Sequence, residues 1–244
     1  MKILGLDSSG IVASVALVED DVLLAEYTVN YKKTHSQTLL PMLDELVRMT
    51  ELDLNTVDAI AVAAGPGSFT GLRIGSATAK GLGLALDKPL IAVPTVEALA
   101  YNLYDTAGLI CPIMDARRSQ VYTGIYQYEA HKLTTVQEQM AVPITELLEQ
   151  LGELKKPVTF LGDGVPVFRD VIARTMKTAY SFAPAHLNKQ RAGAVAALGS
   201  RCYEDYLTGG PLGNRVQTAR EHTPEYLRMS QAERERAKRE GQIS

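Results

Sequence analysis

One segment constrains the fold of this chain more than any other. It is an apolar run that stops at a glycine-rich turn and is followed by a helix of small residues. Residues 57–64 read VDAIAVAA, residues 65–68 read GPGS, and residues 70–86 read TGLRIGSATAKGLGLAL. Glycines in such a turn let the backbone take positive φ or approach a ligand closely, and free N–H groups at a helix start favour an anion. The segment therefore predicts a buried strand, a tight turn and a helix. It fits a phosphate or nucleotide site and equally a plain turn in which Ser68 or Thr70 caps the helix.

The turn departs from two well-known nucleotide motifs. No Gly-Lys-Ser/Thr follows it, as a P-loop requires, and its glycines are spaced G-x-G-x-x-x-G rather than G-x-G-x-x-G. The four histidines form no His-x-x-x-His pair, and the two cysteines lie in unrelated segments. The sequence therefore predicts no metal site and no catalytic residue from these motifs.

Length and charge narrow the class of protein. A chain of 244 residues, 46% of them hydrophobic, builds one large domain or two small ones. Its net charge of −3 and pI near 5.9 argue against a protein that grips nucleic acid alone. No apolar run is long enough to span a membrane, and the strand-like start reaches Asp7 too soon for a signal peptide. With two scattered cysteines, we expect a reduced, cytoplasmic protein without membrane contact.

The order of predicted elements repeats once along the chain. The first half has three strands, a helix, the strand before the glycine turn and a second helix, at 2–7, 11–18, 22–29, 36–50, 57–64 and 70–86. The second half repeats this order at 109–115, 120–127, 132–140, 143–151, 158–161 and 165–176. Asp7 and Asp115 end the two matching first strands. This duplication predicts two α/β lobes, each a mixed sheet with an antiparallel hairpin and packed helices, around a ligand cleft.

The repeat also sets the predicted domain boundaries. Residues 1–105 form the first lobe, and residues 106–188 form the second, smaller lobe. A helix over 189–208 returns to pack on the first lobe, because apolar residues recur along it at helical spacing. Residues 209–244 form a C-terminal extension, and its almost entirely polar end, 231–244, is expected to be disordered or a frayed helix.

Four motifs carry a resemblance to a known family. They are ILGLDSS at 3–9, HSQTLLP at 35–41, AGPGSFTGLR at 64–73 and PEYLR at 224–228. The duplicated arrangement resembles the actin/Hsp70/sugar-kinase (ASKHA) superfamily, whose two ribonuclease H-like lobes enclose a nucleotide. Within it, the motifs are most similar to the TsaB (YeaZ) branch of the TsaD/TsaB family of tRNA threonylcarbamoyladenosine proteins. The resemblance covers residues 1 to about 228.

The resemblance implies a non-catalytic role in tRNA modification. TsaD transfers a threonylcarbamoyl group from its adenylate to adenosine 37 of ANN-reading tRNAs, and TsaD-type proteins hold a metal with a His-x-x-x-His motif. Thr95 and Leu99 stand in the matching stretch of this chain, and neither side chain replaces an imidazole at a divalent metal. The implied function is a scaffold or activator subunit that binds TsaD and, with it, a TsaE-type ATPase. The alternative is an active nucleotide-dependent or glycoprotease-like (M22-type) enzyme of the same superfamily.

The resemblance also implies where a nucleotide would bind. We expect no required cofactor and at most weak or vestigial ATP or ADP binding by this chain, with a nucleotide at the TsaD/TsaE interface of the complex as the other possibility. Candidate residues are the strand-end acid, the glycine turn and its counterpart in the second half: Asp7, Ser8, Gly65, Gly67, Ser68, Gly162, Asp163 and Gly164.

The helices over 36–50 and 70–86 are the predicted partner interface. The first is apolar on more than one face, and the second carries a stripe of small residues at i, i+4 spacing that would let another helix come close. In the family these helices meet TsaD or a second copy of TsaB, and tRNA is reached only through the complex. The candidate residues are Leu39, Leu40, Met42, Leu43, Leu46, Gly71, Ile74, Gly75, Ala79 and Gly83. The simpler alternative is that both helices belong to the core of this chain.

Overall fold

The first half of the chain alternates strands and helices in the predicted order, in a computed structural model that describes residues 1–31 and 34–228. Its elements are β1 (Lys2–Asp7), β2 (Ala13–Glu19), β3 (Val22–Val29), α1 (His35–Thr50), β4 (Ala59–Gly65), α2 (Phe69–Leu86), β5 (Leu90–Pro94) and α3 (Thr95–Tyr101), with a 3-10 turn over Leu54–Thr56. Ser68 caps α2, because its hydroxyl accepts the N–H of Gly71 at 3.3 Å.

The second half follows the same order and ends in an extension. Its elements are β6 (Leu109–Asp115), β7 (Gln120–Glu129), β8 (Lys132–Pro143), α4 (Ile144–Leu154), β9 (Val158–Leu161), α5 (Gly164–Thr175), β10 (Tyr180–Phe182), α6 (Ala192–Thr208), a 3-10 turn (Pro211–Arg215) and β11 (Val216–Gln217). The tail over 231–244, predicted to be disordered or frayed, lies outside the described residues. None of the helices described here is both long and apolar enough to cross a membrane.

Both halves build the same kind of sheet. The first has the strand order β11-β5-β4-β1-β2-β3, and the second has β10-β9-β6-β7-β8. In each, the central strand pairs antiparallel with a hairpin on one side and parallel with a later strand on the other. Leu4 on β1, for example, lies opposite Leu17 of the hairpin and Ile60 of β4. The predicted α/β fold, with two mixed sheets that each contain an antiparallel hairpin, is confirmed.

Two helices cross between the halves. Helix α3 follows the first sheet, yet its Leu99 packs in one apolar cluster with Leu161 of the second. Helix α6 follows the second sheet, yet its Val195 packs with Ile3 of the first. Helices α1 and α2 cover the other face of the first sheet, and α4 and α5 cover the outer face of the second. Each sheet therefore packs against a helix that the other half of the chain supplies.

Most of the residues predicted to form the partner interface are buried within this chain. Eight of the ten residues face the core of this chain, so they do not form a surface for a partner: Leu39, Met42, Leu43, Leu46, Gly71, Gly75, Ala79 and Gly83. The small-residue stripe of α2 faces the chain itself, with Gly71 and Gly75 against Ser8 and Gly83 against Leu90. Leu40, at 55% exposure, lies on the surface, and Ile74 is half-buried.

Candidate functional site

A cleft of about 570 Å³ lies between the two lobes. Loops at the ends of matching strands form its two walls, as expected where two α/β halves face each other. The first lobe contributes residues after β1 and around the glycine turn: Ser9, Gly10, Ile11, Gly67, Ser68, Phe69 and Thr70. The second lobe contributes residues around the end of β6 and the start of α5: Met114, Asp115, Ala116, Arg117, Tyr122, Asp163 and Val167.

The strand-end acid of the first lobe lies beneath this wall. Asp7 is 1% exposed, and its Oδ1 accepts the backbone N–H of Ser9 at 2.8 Å and the Ser9 hydroxyl at 2.6 Å. Burial raises the pKa of Asp7 to about 6, although the two bonds from Ser9 favour the charged form. Ser8 is also buried, and its hydroxyl donates to the carbonyl of Gly71. Asp7 and Ser8 therefore support the loop that lines the cleft.

The glycine turn packs closely against the chain's own backbone. Gly65 has φ of 127°, and a Cβ there would overlap the carbonyl oxygen of Glu225. The N–H of Ser68 donates to the Ser9 carbonyl at 2.6 Å, and a Cβ on Gly67 would overlap the same carbonyl. One amide that a phosphate would use is thus already bonded within the chain, whereas Gly67 and Ser68 still line the cleft.

The second wall combines two carboxylates with an arginine. Asp163 accepts the N–H of Asp115 at 3.2 Å, and burial raises the pKa of Asp163. Asp115 accepts the N–H of Arg117 at 2.8 Å, and its other oxygen lies 3.4 Å from the exposed Arg117 guanidinium. Among the described residues, no group of three or more His, Cys, Asp or Glu side chains is arranged to hold a metal ion.

Five of the eight predicted nucleotide residues lie behind the walls. Gly67, Ser68 and Asp163 line the cleft, while Asp7, Ser8, Gly65, Gly162 and Gly164 do not. Gly162 and Gly164 both pack against the carbonyl of Ile113 on β6, which gives them a structural role in the turn before α5. The predicted residues therefore lie in or next to the loops that line the cleft, and the nucleotide site itself stays a prediction.

A third contribution to the cleft comes from the C-terminal extension. Tyr226, Leu227 and Arg228 line it, although they follow the last strand. The Tyr226 ring lies 4.6 Å from the Phe69 ring, and Arg228 Nη1 donates to the Ala116 carbonyl at 2.6 Å. These residues belong to the family motif PEYLR, whose position in the cleft was not predicted. The one feature of the sequence that could have indicated this contact is a tyrosine and an arginine in an otherwise irregular segment.

The raised pKa of Asp7 leads to a stability prediction. We expect Asp7→Asn to raise the free energy of unfolding by about 3 kcal/mol at about pH 8, because the variant carries no buried charge there. Asparagine keeps an oxygen that can accept both bonds from Ser9. Since the folded pKa of about 6 exceeds the ordinary 3.8, the wild-type chain loses stability as the pH rises through this window. The advantage of the variant should therefore disappear at about pH 4.

Urea denaturation of both proteins at the two pH values measures this effect. Asp170→Asn, at an exposed position of α5, is the matched control, because it makes the same substitution without removing a buried carboxylate. Equal stability of Asp7→Asn and the wild-type chain at both pH values would contradict the assignment of a buried, destabilising carboxylate.

Sequence comparison relates the chain to tRNA-modifying proteins. The family model described as TsaD, tRNA N6-adenosine threonylcarbamoyltransferase, matches residues 22–236. The tRNA threonylcarbamoyladenosine biosynthesis protein TsaB of Bacillus subtilis is 36% identical over 235 residues, which cover 96% of this chain and 96% of that protein. TsaB of Escherichia coli is 31% identical and covers 70% of this chain and 75% of its own length.

Solved structures show the same fold. YeaZ from Pseudomonas aeruginosa is 25% identical, covers 93% of this chain and 99% of its own, and superimposes with a TM-score of 0.73. An inorganic polyphosphate/ATP-glucomannokinase from Arthrobacter is only 12% identical, covers 83% of this chain and 99% of its own, and has a TM-score of 0.50. The second likeness concerns the fold alone.

Proposed function

The chain belongs to the TsaB family of tRNA threonylcarbamoyladenosine biosynthesis proteins, and we propose that it is a non-catalytic subunit that binds a TsaD-type transferase. In this proposal it acts as a scaffold or activator, joins a TsaE-type ATPase through the transferase, and reaches tRNA only within that complex. A second copy of the chain occupies the same surface when the transferase is absent.

The observation that carries the proposal is the outer face of α2. Ala77, Gly81 and Ala85 are exposed, and their i, i+4 spacing places them on one side of the helix. Among the described residues, no atom beyond the helix's own backbone lies within 4 Å of a Cβ built on Gly81. Small side chains reduce the distance at which two helices pack, so this face suits a partner helix. Leu84, 58% exposed beside the stripe, supplies apolar area to bury.

The positions that match the histidines of TsaD-type proteins support a non-catalytic role. Thr95 is buried at the start of α3, and its hydroxyl accepts the N–H of Gly65 at 3.2 Å. Leu99 is 1% exposed and packs against Gly162. Thr95 therefore supports the glycine turn of the first lobe, and Leu99 contacts the corresponding turn of the second. A threonine bonded to the glycine turn and a buried leucine are structural replacements for metal ligands.

We further propose that the cleft holds a nucleotide only weakly. Two features favour this. The Ser68 N–H is bonded to the Ser9 carbonyl, and the Asp115 and Asp163 carboxylates would repel phosphate oxygens. Arg117 and Arg228 have the opposite effect, because their positive charges line the same wall and attract phosphate. A nucleotide that serves the complex would then be held mainly at the TsaD/TsaE interface.

Co-purification with the TsaD-type protein of the same organism tests the proposal. Size-exclusion chromatography with light scattering should show a discrete heterodimer in place of a homodimer, and deletion of this chain should remove threonylcarbamoyladenosine from tRNA, measured by mass spectrometry of nucleosides. Two proteins that never co-elute, with or without the TsaE-type ATPase and ATP, would contradict the partner role. Full tRNA modification by the transferase in the absence of this chain would contradict the activator role.

A further inference from the structure

The segment Thr218–Arg228, called the strap below, starts on the outside of the first lobe. It follows β11, the strand at the edge of the first sheet. Lys80 Nζ on α2 donates to the carbonyls of Arg220 at 3.3 Å and His222 at 2.8 Å. Ala219 is buried in the apolar cluster of α1 and α2. The start of the strap is therefore anchored to α2.

The middle of the strap crosses the strand ends of the first lobe and reaches the second. Glu225 donates its N–H to the Ala64 carbonyl at 2.7 Å, and its own carbonyl lies directly over Gly65. Its carboxylate Oε2 accepts the amide Nε2 of Gln139, on β8, at 2.7 Å. One residue of the strap thus contacts both sheets.

The end of the strap lines the cleft. The Tyr226 ring packs on Phe69, which in turn carries the Arg73 guanidinium 4.0 Å above its ring centre. Arg228 bonds to the Ala116 carbonyl in the loop of the opposite wall. The loops that follow β4 and β6 are therefore tied to the same short segment, which lines the cleft between them.

We propose that the strap is an internal clamp that fixes the angle between the two lobes and must be released before the cleft opens. The fixed part of the strap is its start, which is anchored on α2 through Lys80. The releasable part is its second half, where Glu225 bonds to Gln139, the Tyr226 ring packs on Phe69 and Arg228 bonds to the Ala116 carbonyl. Such local contacts open at lower free energy than the core does.

Distance measurement between the lobes tests the clamp in the full-length chain. Spin labels are placed on Asp44→Cys in α1 and Ala173→Cys in α5, both exposed positions; the native Cys111 and Cys202 are buried and should stay unlabelled. Labelled chain is diluted with unlabelled chain so that only distances within one molecule are read. We expect one narrow distance distribution, which Tyr226→Ala/Arg228→Ala widens about twofold. Tyr206→Ala/Arg174→Ala removes an aromatic and an arginine from exposed positions outside the strap and should change nothing.

Hydrogen exchange on the same variants supplies the second readout. In the strap variant, amides of 67–70 and 116–120 should exchange about tenfold faster, because both loops lose a contact. An unchanged distance distribution, with faster exchange in the strap alone, would overturn the proposal, since the strap would then be a passive cover. If the double variant does not fold, Arg228→Ala alone takes its place, because it removes the bond to Ala116 and keeps the Tyr226–Phe69 ring contact.

Discussion

Gly71→Ala is expected to lower the free energy of unfolding by about 3 kcal/mol, because α2 packs backbone to backbone at this position. A Cβ on Gly71 would overlap the carbonyl oxygen of Ser8, and neither backbone can move freely. Ser8 donates its hydroxyl to the Gly71 carbonyl, so a displacement of the helix would also weaken that bond. The loop that carries Ser9 and Gly10 would move with the helix, and the cleft would change shape because this loop lines it.

Gly81→Ala, ten positions along the same helix, is the matched control and should have the opposite sign. Its Cβ would project into open space, and alanine favours a helix interior by about 1 kcal/mol over glycine. Urea denaturation of the three proteins, followed by circular dichroism, measures both changes. A Gly71→Ala variant as stable as the wild-type chain would show that α2 can shift away from β1, against the close packing described above.

Ala77→Glu is expected to weaken binding of the TsaD-type partner by about 100-fold, or about 2.7 kcal/mol. The residue lies in the middle of the exposed small-residue face of α2. A glutamate there would hold the partner helix away and bury a charge without a counter-ion when the complex forms. The isolated chain should keep its stability, because the side chain points to solvent in the absence of a partner.

Isothermal titration calorimetry with the TsaD-type protein gives the affinities. Ala173→Glu makes the same change at an exposed position of α5, in the second lobe, and should bind as the wild-type chain does. A homodimer that uses the same face should dissociate in Ala77→Glu and persist in the control. Unchanged affinity of Ala77→Glu would remove the outer face of α2 from the interface and with it the argument for the scaffold geometry.

Much of the fold was predictable because it rests on local apolar patterns. The continuous apolar run over 57–64 became β4, and the repeated element order became two sheets with equivalent strand arrangements. The strands β5, β10 and β11 and the helix α3 were not predicted. They are short, and α3 is apolar almost throughout, so its sequence shows no helical stripe.

The interface prediction was wrong on α2 for a specific reason. The helix carries two stripes of small residues at i, i+4 spacing, one that includes Gly75 and Ala79 and one that includes Ala77 and Gly81. Periodicity shows that both stripes exist, but it does not show which one faces the sheet. The stripe that faces the sheet is the one in contact with Ser8 and Leu90, and these contacts depend on how α2 packs against the sheet.

The cleft contact of the C-terminal motif was not predictable from local pattern. Phe69 and Tyr226 meet across most of the length of the chain, and the segment around Tyr226 has neither helical nor strand periodicity. Such a contact follows from the arrangement of the lobes. A sequence of one chain gives the motif and the residue types, while the position of the tyrosine depends on packing between elements that are distant in sequence.

The exchange of α3 and α6 makes the two halves inseparable. If the chain were cut between the lobes, each fragment would carry a helix meant for the other and would expose the apolar face that its missing helix covers. The first half cannot complete its hydrophobic core during synthesis until α6, near the end of the chain, has been made, whereas the second half uses α3, which precedes it in the chain. The duplication seen in the sequence thus no longer corresponds to two autonomous units, and the present molecule resembles a domain-swapped dimer joined into a single polypeptide.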